Sequence, residues 1–178
     1  MAAGPRADAV EVAITQATQD DAAVLAALAE LYIYDFTEFT GEDPGEDGRF
    51  PTDWLARLWA EPDHYAFIAR VDGKLAGFAL IRRGSEFGDD VPGSVPPWNM
   101  AEFFVMRKHR RSGVGRMLAT AMFDRFRGPW HVHQIARNTP AQAFWRRIIG
   151  EYTNSAFTER LLEDDKRGGP VQIFDSSA

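Results

Sequence analysis

The sequence predicts a mixed α/β domain, a mostly antiparallel sheet flanked by helices, and three observations predict it. Runs with strand-like alternation interleave with runs of helical spacing along the chain. Two pairs of strand-like runs read as hairpins, which a purely parallel sheet cannot contain. The length, 178 residues with 45% hydrophobic side chains, suits one core and leaves too little for two independent ones. Residues 1–178 are therefore read as one domain, with the small and polar residues 1–9 as a loose N-terminus.

The elements follow in order. VEVAIT alternates and reads as a first strand; Thr18 and Asp20 then cap a helix carrying Val24, Leu25, Leu28, Leu31 and Tyr32 on one face. YDFTEFTGEDPGEDGRFP mixes aromatics, acids, glycine and proline, and reads as helix end plus ordered loop. A short helix over TDWLARLWA starts at Thr52 or Asp53. YAFIARVDGKLAGFALIRR is a hairpin, because Asp72-Gly73 accepts the positive backbone angles of a two-residue turn. Residues 84–97, with three glycines and three prolines, form an exposed excursion before the strand MAEFFVM. A basic glycine turn and a helix with Val114, Met117, Leu118, Ala121 and Met122 at helical spacing come next, ended by Gly128-Pro129. WHVHQIAR is a strand and TPAQAFWRRII a helix with proline in its first turn. YTNSAFTERLLE and VQIFDS close the fold as a hairpin around Arg167-Gly168-Gly169.

Composition bounds the function. The absence of cysteine excludes disulfides, thiolate metal sites and a cysteine nucleophile. His131 and His133 share a strand face, but without a third ligand in sight no metal is expected. No apolar stretch is long enough for a membrane span and MAAGPRADAV lacks a signal-peptide core, which points to a cytoplasmic protein with no membrane partner. The net charge of -6 argues against nucleic acid as a partner. The charge is uneven: residues 1–60 hold 3 Lys+Arg against 12 Asp+Glu, whereas Arg107 to Arg116 carries five Lys+Arg and no acid. One surface suits an anion and another a cation.

In RRSGVGRM, Gly113 and Gly115 open a helix directly after a strand, presenting backbone N–H groups that no side chain shields from a phosphate, with Arg110, Arg111 and Arg116 around them. The dinucleotide fingerprint fails because Leu118 stands where its third glycine belongs, and the nucleoside-triphosphate loop fails for lack of its lysine and hydroxyl residue. What remains is V-x-x-x-x-R-x-x-G-x-G, Val105 through Arg110, Gly113 and Gly115, followed one strand later by NTPAQAFW. This resembles the GNAT superfamily of N-acetyltransferases, most strongly over residues 98–150.

The resemblance implies a GNAT-type fold and acetyl-coenzyme A as co-substrate. Its diphosphate would lie on Arg110, Arg111, Ser112, Gly113, Val114, Gly115 and Arg116, its pantetheine arm beside the backbone of Phe104 and Val105, and Asn138 close to that arm. The reaction implied is acetyl transfer to a primary amine of a small molecule by direct attack. A protonated amine must first lose a proton, and Glu102 stands where several members of the family carry a glutamate base. The tyrosine acid common in the family is replaced by Trp145, whose indole cannot shuttle a proton, leaving Tyr152 or Tyr34 as substitutes. Tyr34, Asp35 and Glu38 are the candidate acceptor wall, suited to a cationic amine. A non-catalytic acyl-coenzyme A sensor and a peptide or protein N-acetyltransferase are the alternatives, longer acyl donors stay open, and a homodimer is compatible with the apolar C-terminal strands.

Overall fold

In the computed structural model, residues 11–88, 93–164 and 167–177 are described; the expected loose N-terminus, residues 1–9, lies outside them. The chain runs β1 (Val12–Gln16), α1 (Ala22–Thr40), α2 (Arg57–Ala60), β2 (His64–Val71), β3 (Lys74–Arg83), β4 (Trp98–Val105), α3 (Val114–Arg125), β5 (Pro129–His133), α4 (Thr139–Tyr152), β6 (Thr158–Leu162) and β7 (Gly169–Asp175). The strands form one seven-stranded sheet in the order β1-β2-β3-β4-β5-β7-β6. Every neighbouring pair is antiparallel except β4 and β5, which run parallel. Both expected hairpins form, and Asp72 and Gly73 take φ values of 48° and 75° at the first of them.

The sheet carries a core on each face. On one face Leu118, Met122, Trp145 and Ile148 of α3 and α4 pack on Phe67, Ala79, Ile81, Met100 and Trp130. On the other, Leu25 and Leu28 of α1 with Leu55 and Leu58 pack on Ile68, Phe78, Leu80 and Phe104. Burying such side chains supplies most of the driving force, at about 25 cal/mol per Å² of apolar surface.

Two elements differ from the expectation. The segment read as helix end plus loop divides at Gly41: the helix runs to Thr40, Gly41 at φ 71° stops it, and the loop follows. Tyr32, Phe36 and Phe39 keep helical spacing into that segment, and their rings meet tilted and edge-on along one face. The helix entrance is held by Thr18 and Asp21, the Asp21 carboxylate accepting from the Thr18 N–H at 3.0 Å, and not by Asp20. Over TDWLARLWA the chain first makes a 3₁₀ turn, Asp53–Ala56, and only then α2. Among the described residues no helix is long and apolar enough to cross a membrane.

Candidate active site

Glu102 reaches its position through a β-bulge. Leu80 pairs with Glu102 but Ile81 pairs with Met100, so Ala101 is an extra residue in β4. Met100 packs against α3 and α4, and strict alternation would send residue 102 to that same face. The inserted Ala101 resets the alternation, so that Glu102 and Phe104 face α1 while Phe103 packs toward α4.

There the Tyr32 hydroxyl donates to Glu102 Oε2 at 2.5 Å, across 70 residues of sequence. The Tyr32 ring sits against Phe78 and Phe104, at 5.8 and 6.0 Å between centroids. Burial raises the Glu102 carboxyl to about 7; the Tyr32 hydrogen bond and nearby Arg82 pull it down, and the Glu86 carboxylate pushes it up. Burial and the same Glu102 contact hold the Tyr32 hydroxyl well above its ordinary value. Arg82 and Glu86 pair with each other at 2.7 Å beside this couple. A carboxyl poised near neutrality can both take and release a proton at physiological pH. Tyr32→Phe removes a hydrogen bond that favours the ionised carboxylate, so Glu102 should titrate higher than in the unmodified protein. The acid limb of the pH–rate profile should move to higher pH, and an unmoved limb would show that Tyr32 does not set the carboxyl.

Over Glu102 opens a cleft of about 1430 Å³, bounded by α1, α2, β4 and the connections that follow β5 and β6. Its α1 wall is made by Tyr32, Ile33, Phe36, Phe39 and Thr40. Tyr34, Asp35 and Glu38 are not among its lining residues: Tyr34 and Glu38 occupy the opposite side of the helix, and Asp35 its flank toward Arg107 and Arg110. Tyr34 is 65% exposed. Asp35 accepts from Arg107 Nε at 2.7 Å and from the Arg110 guanidinium. Burial acts to raise the Asp35 carboxyl, but these two guanidinium contacts outweigh it and hold the carboxyl below its ordinary value.

Next to the cleft the sheet itself is open. Strands β4 and β5 pair only at Trp98–Trp130 and Asn99–His131, then separate. The Met106 N–H donates to the Ala76 carbonyl at 2.8 Å, which fixes the phase of the ladder: Phe104 exchanges its bonds with Phe78 of β3, while the backbone groups of Phe103 and Val105 point into the gap. Of the two residues expected beside the pantetheine arm, Val105 thus offers its N–H to the gap and Phe104 does not. The Val105 carbonyl accepts from Arg110 Nε at 2.8 Å.

The basic turn borders the same gap. A short 3₁₀ turn, Arg107–His109, leads to Gly113, which at φ 91° precedes α3 in a conformation costly for any side-chain-bearing residue. A Cβ on Gly115 would press on the Phe144 ring at 3.3 Å, so that glycine lets α4 close over the turn. The first N–H groups of α3 lack helical acceptors by construction and end the helix in partial positive charge. Ser112 donates to the His109 carbonyl at 2.7 Å, and Arg116 contacts Glu151 at 3.3 Å. Arg111 is exposed at φ 62°, and Val114 is buried beneath the turn. Asn138 lines the cleft and caps α4, its Oδ1 accepting from the Ala141 N–H at 3.1 Å.

Trp145 also lines the cleft, packed at 4.8 Å against Phe103 and at 5.0 Å against Phe144. Neither tyrosine offered as its substitute lines it: the Tyr152 hydroxyl donates to Asp124 at 2.7 Å. Tyr32 is the tyrosine in the cleft, and sequence reasoning treated it as a packing residue. The sign that could have found it is its spacing with Phe36 and Phe39, which turns one aromatic face toward a single place.

The profile of the Acetyltransferase (GNAT) family matches residues 25–150. No curated protein matches the sequence. Among solved structures, a GNAT-family acetyltransferase from Streptococcus agalactiae superposes with a TM-score of 0.65 at 14% identity, covering 91% of this chain and 92% of that one. An acetyltransferase from Thermus thermophilus gives 0.63 at 15% identity, with 92% and 96% covered. A PaiA N-acetyltransferase from Thermoplasma acidophilum, in complex with coenzyme A, gives 0.56 at 11% identity, with 93% and 99% covered. At such identities the structures speak for the fold, and the family match spans most of the sequence: the chain belongs to the GNAT family of acetyltransferases.

Proposed function

We propose that the protein transfers an acetyl group from acetyl-coenzyme A to the primary amine of a small molecule, with Glu102 as general base. The observation that carries this reading is the placement of Glu102, a largely desolvated carboxyl raised to about 7, on the strand whose far half borders the sheet gap.

The residues present fit the donor. The gap offers the Val105 N–H, and the adjoining turn offers the first N–H groups of α3 with Gly113 and Arg111 beside them. Arg110 has a different duty, since its guanidinium joins Asp35 to the Val105 carbonyl and thereby holds the turn against α1. Bound there, acetyl-coenzyme A would supply an electrophilic thioester carbonyl. Glu102, ionised in the competent state, accepts the proton that the acceptor ammonium must lose, so that the neutral nitrogen can form the new C–N bond as the C–S bond breaks. Tyr32 holds the carboxylate in place through that cycle. The Val105 N–H is a donor available to polarise a carbonyl in the gap. Trp145 excludes water from one side and offers no acid, which leaves the departing thiolate, with a pKa near the ~8.5 reference, to take its proton from solvent, while the acylated nitrogen releases its surplus proton to solvent.

Trp145 also favours a second reading, a sensor that binds acyl-coenzyme A without turnover. Calorimetric titration with acetyl-coenzyme A, followed by turnover assays with amines, separates the two. The unmodified protein should bind saturably and Arg111→Glu should weaken binding about tenfold, or ~1.4 kcal/mol. An affinity untouched by Arg111→Glu would remove the basic turn from the donor site.

A further inference from the structure

We infer that the acceptor is a monoamine with an aromatic or branched-aliphatic body, preferred over polyamines and aminosugars. The inference rests on the reading of Glu102 as base. From Tyr32, whose hydroxyl touches Glu102, the rings of Phe36 and Phe39 continue along the cleft-facing side of α1, with centroids 5.4 and 5.7 Å apart. The seven helical steps from the first ring to the last span about 10 Å, the length of a small amine laid out from its nitrogen. Trp54 and Leu58 line the same cleft. The one polar atom of the Trp54 side chain, Nε1, donates to the Pro51 carbonyl at 3.1 Å, so its free surface is apolar.

The charges at the rim are mixed, and the one that meets the end of the ring row is positive. Glu42, Glu163 and Asp164 line the cleft, but so do Arg57, Arg137 and Arg167. Arg137 reaches across from the start of α4 and donates to the Phe39 carbonyl at 3.4 Å, which places a guanidinium at the far end of the ring row. A polyamine extended from Glu102 would bring its second ammonium toward that guanidinium, and like charges at close range repel. The hydroxyls of an aminosugar would lose water against rings that return no hydrogen bond. An apolar body loses only unfavourable hydration there.

The test is a matched panel of 2-phenylethylamine, 3-methylbutylamine, ethanolamine, putrescine and glucosamine. Each is titrated by saturation-transfer NMR against the protein alone and with coenzyme A, and each is assayed for kcat/KM with acetyl-coenzyme A. The expected result is tighter binding and at least tenfold higher kcat/KM for the first two. Phe36→Leu and Trp54→Ala, on separate elements, should each erode that preference through KM. The inference is overturned if putrescine or glucosamine equals 2-phenylethylamine, if the preference survives both substitutions, or if no amine of the panel binds. Failure to bind coenzyme A would instead sink the acetyl-transfer reading, and the amine titrations on the protein alone still decide the inference.

Discussion

Glu102→Gln should lower turnover of an amine by about 10²–10⁴-fold while coenzyme A binds as before, because glutamine keeps the shape and loses the base. Stability should move the other way. Burial pushes the folded carboxyl up to about 7, above its ordinary value of 4.5, so between those values the folded protein retains a proton that the unfolded chain has released. Stability from this group is complete below the unfolded value and is lost as pH rises through the folded one. Glutamine undergoes no such loss. The difference in denaturation midpoint, variant minus unmodified protein, should therefore be larger at pH 8 than at pH 5. Equal differences at the two values would mean that Glu102 is not desolvated, and full activity in the variant would end its role as base.

Gly77→Ala should be the most damaging single methyl in the sheet's centre. Gly77 of β3 lies opposite Val105, and a Cβ there would come within 2.1 Å of the Phe104 carbonyl oxygen and 3.1 Å of the Val105 Cα. Backbone on a central strand has nowhere to retreat, since β2 closes the other side. The strain should cost about 2–3 kcal/mol, the range of overpacked cores, which for a domain of this size lowers Tm by roughly 5–10 °C. The same displacement moves the Val105 N–H, so coenzyme A affinity should fall as well. A melting temperature within a degree of the unmodified protein would show that β4 adjusts freely and that the close approach constrains nothing.

Much of the architecture was legible because the signals were local. The Asp72-Gly73 turn, the alternation of the hairpin strands and the strand–glycine–helix order each lie within a few neighbours, and the family resemblance rested on the last of these together with NTPAQAFW. The site was harder because it depends on register and on distant contacts. Strand spacing alone left the face of Glu102 open, and the single bulge at Ala101 decides it. The acid-rich stretch after Tyr32 read as helix end plus loop, but composition did not say where the one gives way to the other; the aromatic spacing carries the helix to Thr40. Asp35 looked like a free anion; its counter-ions, Arg107 and Arg110, are more than 70 residues away in sequence. Tyr32 became interesting only once the fold brought its hydroxyl to Glu102.

The separation of β4 from β5 leaves a sheet with an edge in its middle. Amide protons at Phe103 and Val105 sit amid a seven-stranded ladder, yet on this side no strand shields them. In deuterated water they should exchange early, alongside the outer strands, while the neighbouring Phe104 amide, engaged with β3, persists. A ligand lying in the gap as an eighth strand would reverse that order, so the isotope pattern of three consecutive residues would record whether the slot is filled.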